Sequence, residues 1–174
     1  DDELLINFIN SEASKDVKFI IAPHNIKSVQ IKNIQDKLTV ESVLFSEKDK
    51  KQVKTAQVFI IDTIGILSKI YSYADIAYVG GAMGTTGLHN TLEPAVFGIP
   101  IIIGSHHSKF PEAQEMIDNA GMFSISNQLE FNALLNDLID NEKKRLDSGR
   151  NNSEYISSNK GAVDKILKYL NITN

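Results

Sequence analysis

The chain has 174 residues, 42% of them apolar, and a formal net charge of −4. That is enough to enclose one compact core, and the evenly mixed charge leaves no basic stripe for nucleic acid. Cysteine is absent, which excludes disulfides, thiolate metal sites and cysteine nucleophiles together.

Leu4, Leu5, Phe8 and Ile9 recur at helical spacing, and the run VKFIIAP that follows reads as a strand stopped by Pro23. The opening residues are acidic and amphipathic from the start, unlike a secretion signal, and read as a domain boundary. Ile26, Val29, Ile31 and Ile34 suit a second helix, with His24 or Asn25 near its N-terminus and Asn25 a candidate cap. LTVESVLF is a second strand, and the charged stretch SEKDKKQVKTA after it reads as a solvated loop. VFIID is the third strand, ending at Asp62 and Thr63. Beyond Gly65, the residues Ile66, Leu67, Ile70 and Tyr71 form the apolar face of a short helix.

Ile76 to Val79 make a short apolar fourth strand that runs into GGAMGTTGLHNTLEP, residues 80 to 94. Gly80, Gly81, Gly84 and Gly87 allow positive φ and a close approach of backbone to a ligand. Leu92, Ala95 and Val96 then sit at helical spacing, so a helix is expected from Asn90 to about Phe97, closed by Gly98. The free N–H groups of its first turn suit a phosphate. The loop matches neither the dinucleotide fingerprint nor the phosphate-binding loop of nucleoside triphosphatases, and a nucleotide-sugar site stays open. Glu93 either accepts hydrogen bonds from a ribose diol or only complements the helix dipole. His89 either donates to an anion or caps the turn.

IPIIIG is a fifth strand, Phe110 to Asn119 a helix ending at Gly121, and MFSIS a sixth strand. His106 and His107 are adjacent, so their rings do not converge on one ion, and no third ligand lies near; no metal or cofactor is expected. LEFNALLNDLI and NKGAVDKILKYL complete the chain as amphipathic helices. No apolar run approaches the roughly 20 residues that cross a bilayer, so the chain itself is expected to be soluble. Alternating strands and helices with short connections predict a single α/β domain over 1–174, a doubly wound, Rossmann-like parallel sheet. Ligands in such folds lie beyond the carboxyl ends of the strands, here at 23–25, 62–65, 80–88 and 104–109.

Four motifs, APHN at 22–25, IDTIGILSKIYSYAD at 61–75, VGGAMGTTGLHNTLEPAVFGIP at 79–100 and the following GSHHSKFPEA, together resemble the 3-deoxy-D-manno-octulosonic acid (Kdo) transferases of lipopolysaccharide synthesis. The order D-T-x-G-x-L, A-D-x-x-x-V-G-G, H-N-x-L-E-P is the family's. The resemblance implies the C-terminal, donor-binding half of a two-domain GT-B glycosyltransferase, moving Kdo from CMP-Kdo to a lipid A precursor at the cytoplasmic face of the bacterial inner membrane. The catalytic base, the acceptor site and any membrane contact would then lie in an N-terminal half. Carried over by position, Asp62, Thr63 and Gly65 would lie by the cytidine nucleotide, and Gly80 and Gly81 at the phosphate-side turn. Asn90 would face the donor and Glu93 the ribose, with His89 beside them; His24 and Lys109 are further candidates. Pro23 stands where many relatives have Arg, Asn25 where an acidic residue is common, and Gly104-Ser105 where Gly-Pro is usual. A nucleotide-sugar epimerase of the same fold and a non-catalytic nucleotide-binding module are the alternatives.

Overall fold

The computed structural model describes residues 1–49, 53–84 and 87–170, with 162–165 described by backbone alone. The chain divides into two compact units, one of Asp1–Ser72 with Ser126–Asn136 and one of Tyr73–Ile125 with Asp137–Asn174.

The first unit begins with α1 (Asp2–Ser11), β1 (Phe19–Ile21), α2 (Ser28–Lys37) and β2 (Ser42–Leu44). A 3-10 turn at Phe45–Glu47, β3 (Val58–Ile60) and the single turn of α3 (Leu67–Ile70) follow. Its strands pair in parallel in the order β1-β3-β2. Alternation suits the pleat, since Phe19, Ile21, Val58 and Ile60 are buried while Ile20 is turned outward. Phe8 of α1 meets Phe19 and Phe131 edge to face, with ring centroids 6.2 and 6.1 Å away, the geometry that aromatic quadrupoles favour. α2 starts later than expected: its N-cap is Lys27 without a side-chain bond, so Asn25 does not cap it. Of its apolar residues Ile31 and Ile34 are buried, whereas Val29 is exposed. The charged loop after β2 includes residues 50–52, which lie outside the described part.

The second unit holds β4 (Ala77–Val79), α4 (Leu92–Val96), β5 (Ile101–Gly104), α5 (Pro111–Asp118) and β6 (Met122–Ile125). α6 (Gln128–Asp140) continues into it from the first unit, and α7 (Glu142–Ser158) and α8 (Ala162–Tyr169) close the chain. The strands run parallel in the order β4-β5-β6. Ile101, Ile102 and Ile103 of the central strand are all fully buried, as a parallel strand covered on both faces requires. The α/β class with parallel strands and flanking helices therefore holds, its ladders forming two three-stranded sheets.

α7, with 17 residues, is the longest helix described and was not expected from the sequence. It carries no apolar stripe, because it docks through small and polar residues: Ser148, Gly149 and Asn152 are its buried positions. A Cβ on Gly149 would lie 2.0 Å from the Gly98 carbonyl oxygen, so the two backbones touch. Asn152 is fully buried and its amide donates to the carbonyls of Ile99 and Gly121, each at 2.8 Å. These carbonyls precede β5 and β6, so one side chain ties the entries of both strands. The same contact explains Gly121, which is not the left-handed residue after α5; Ala120 is, at φ 55°. A Cβ on Gly121 would lie 2.1 Å from Asn152 Oδ1. Further along α7, Tyr155 donates to Glu115 of α5 at 2.8 Å; partial burial, then this carboxylate, raise its phenol to about 12.

Asn152→Ala should therefore cost about 1–3 kcal/mol, since the Ile99 carbonyl is left without its donor while Gly121 keeps the bond from Ile101 N. Urea denaturation with an unchanged slope would show it; a loss under about 0.5 kcal/mol, the range of ordinary surface changes, would show that the clamp is idle.

Candidate functional site

The segment after β4 closes on itself by backbone contacts. Gly80 accepts a hydrogen bond from His89 N at 3.1 Å, joining the two ends of the glycine-rich run. Gly81 at φ 98° and Gly87 at φ 93° are left-handed, and a Cβ on Gly81 would lie 2.0 Å from the Gly87 carbonyl oxygen. Only glycine permits both the conformation and that approach. Gly80 and Gly84 do not take positive φ, so two of the four glycines, not all, serve the turn this way. Thr85 and Thr86 lie outside the described residues.

The loop is also pinned to β5. Ala82, fully buried, accepts from His106 N at 2.9 Å and from the His106 ring Nδ1 at 3.2 Å. Gly104 at the end of β5 makes this possible, because a Cβ there would lie 2.2 Å from the Ala82 carbonyl carbon and 2.4 Å from Met83 N. His106 thus has a structural partner. Its neighbour His107 keeps Nδ1 buried without a hydrogen bond. Among the described residues no group of three or more His, Asp and Glu could hold a metal ion.

α4 is shorter than the expected helix, five residues from Leu92, with Thr91 at its N-cap. Asn90 lies ahead of it and folds back over its start: its Oδ1 accepts from Leu92 N and its Nδ2 donates to Glu93 Oε1, both at 3.0 Å. His89 N and Leu92 N are thereby used internally, which narrows the set of helix-start N–H groups expected to meet an anion. So short a helix has little macrodipole for a first-turn carboxylate to complement. Glu93 is instead oriented by Asn90, and a carboxylate so engaged retains lone pairs for further donors.

In the first unit, Asp62 and Thr63 follow β3. Both Asp62 oxygens hold Ser46: Oδ1 accepts from Ser46 N at 2.9 Å and Oδ2 from the hydroxyl at 2.5 Å. The β2–β3 register pairs Leu44 with Ile60, and Ser46 with Asp62 continues it two residues on. Sequence reasoning missed Ser46 because that register is not visible in the chain; the start of the charged loop is solvated, as expected, and also pinned by Asp62. Thr63 Oγ1 is buried without a hydrogen bond. Gly65 is left-handed at φ 86° with open space around it, so the backbone turn explains it. His24 follows β1, and Lys109 lies in the turn before α5; both are exposed.

No family model matches the chain. It is 29% identical over 141 residues to the 3-deoxy-D-manno-octulosonic acid transferase of Haemophilus influenzae, covering 79% of this chain and 33% of that one. With the transferase of the same name from Aquifex aeolicus the identity is 30% over 131 residues, or 74% and 35% of the two chains. The chain is related to the Kdo transferases. It spans about a third of the length of these relatives. The fold agrees with that of the C-terminal CMP-Kdo binding domain of WaaA from Acinetobacter baumannii, with a TM-score of 0.76 at 20% identity over 88% of this chain and 80% of that one. The motifs at 62–67, 74–81 and 89–94 lie after β3 up to the start of α3, across β4 into the glycine-rich loop, and over the start of α4.

The pinned loop carries its own test. Gly104→Ala should cost about 1–3 kcal/mol, as overpacking of a filled site does. Gly84→Ala, where no atom of the described residues lies within 4 Å, should stay within about 0.5 kcal/mol. Equal losses for both, measured by denaturant titration, would contradict the close approach.

Proposed function

We propose that this chain is the donor-binding part of a glycosyltransferase that moves Kdo from CMP-Kdo to a lipid A precursor. The observation that carries it is the joint likeness, in sequence to Kdo transferases and in fold to a CMP-Kdo binding domain. The loop geometry supports it, because the backbone contacts of Gly80 with His89 and of Gly81 with Gly87, together with the Asn90–Glu93 pair, gather polar groups beyond β4 as a nucleotide site needs. In this reading Glu93 takes the ribose hydroxyls, Asn90 orients Glu93 and faces the donor, and Gly80, Gly81 and His89 lie by the phosphate. Asp62, Thr63 and Gly65 keep a role by the cytidine nucleotide on the resemblance alone, as do His24 and Lys109 as further contacts. Asp62 in particular reaches any ligand only while also holding Ser46.

Displacing CMP from the anomeric carbon needs a base for the acceptor hydroxyl and stabilisation of the departing phosphate. In this proposal the chain supplies the second, and the base, the acceptor site and the membrane contact belong to the remaining two thirds found in the relatives. The 174 residues then act as one donor-binding domain, in a protein working at the cytoplasmic face of the bacterial inner membrane. Among the described residues no helix is long and apolar enough to cross a membrane. Alone, the chain should bind donor weakly, since half of a clamp loses the contacts of the other half.

Calorimetric titration tests the reading. CMP should bind more tightly than UMP, and Glu93→Gln should weaken CMP by about tenfold to a hundredfold, the worth of a charge-assisted hydrogen bond. The melting temperature should hardly change. Preference for uridine nucleotides would favour an epimerase instead, and unchanged CMP affinity in Glu93→Gln would remove the ribose assignment.

A further inference from the structure

The Ala82 carbonyl receives two donors from one residue, the backbone N–H and the ring Nδ1 of His106. The backbone bond follows from Gly104, whose missing Cβ lets the Ala82–Met83 peptide lie against the end of β5. The ring bond does not follow from packing, because His106 is an exposed residue that could direct its ring to water. We propose that His106 is a positioning residue, its Nδ1–H fixing the Ala82–Met83 peptide so that the Gly80–Met83 turn keeps its donor-receiving conformation. This rests on the functional reading above. A peptide held by a single hydrogen bond can swing about that bond; a second donor from another direction removes the freedom. Ordering the peptide before the nucleotide arrives spares that entropy on binding. The arrangement requires a proton on Nδ1, present in one neutral tautomer and in the imidazolium. The side-chain amide of asparagine can place an N–H close to where Nδ1 stands.

The experiment compares wild type, His106→Ala and His106→Asn in the 174-residue chain by hydrogen exchange of peptides covering residues 79–84, by CMP titration and by thermal melting. His106→Ala should speed exchange at these amides by about tenfold and weaken CMP by a similar factor, the worth of one hydrogen bond. His106→Asn should restore both, and all three proteins should melt within a few degrees of one another. Exchange in His106→Ala that matches wild type overturns the proposal, as does an asparagine variant that behaves like alanine. Faster exchange with unchanged CMP affinity overturns the part concerning the donor. A wild type that binds no CMP overturns the functional reading instead, and the exchange data then decide whether His106 orders the turn.

Discussion

The contact between the backbone of Ala82–Met83 and the Cα of Gly104 is the constraint from which the rest of the second unit's glycine-rich loop follows. Two chain segments that leave adjacent parallel strands meet there without any side chain between them, and a Cβ at 104 would lie 2.2 Å from the facing carbonyl carbon, far inside van der Waals contact. With that approach fixed, the loop must return quickly to reach α4. It does so through left-handed Gly81 and Gly87 and the closing bond from His89 N to Gly80 O. The loop is therefore part of the sheet's end and not an appendage. Asn90 and Glu93 inherit its placement.

A second backbone contact of the same kind supports this sheet from its other end. Gly98, left-handed after α4, meets Gly149 of α7, and Asn152 one turn along takes the carbonyls that lead into β5 and β6. The buried face of α7 is thus made of glycine, serine and asparagine. Such a face gains from close approach and from hydrogen bonds to the Ile99 and Gly121 carbonyls more than from transfer of apolar area.

What was legible in the sequence were features that depend on local pattern. The apolar runs at Phe19, Val58, Ala77, Ile101 and Met122 are strands, and Gly98 ends its helix as its position suggests. α7 was hidden because hydrophobic periodicity cannot report a helix whose buried residues are Ser148, Gly149 and Asn152. The role of Gly121 was misread for the same reason: its cause is Asn152, thirty-one positions later. Of the site, the glycines, Asn90 and Glu93 stand out in the chain. The Asp62–Ser46 pair, the His106–Ala82 bond and the shortness of α4 do not, since each depends on register or on a close approach between segments distant in sequence.

The proposed donor platform, built from closed backbone contacts, makes one demand that a generic α/β domain does not: the nucleotide must meet the platform itself. The most direct measurement is an amide chemical-shift titration of the 174-residue chain with CMP. The expected result is a saturable set of shifts at Gly80 to Met83 and Gly87 to Glu93, with α7 and α8 unaffected. Shifts confined to other surfaces, such as the polar groove lined by Glu115, Asn119, Asn151 and Tyr155, would contradict the assignment of this loop as the donor site.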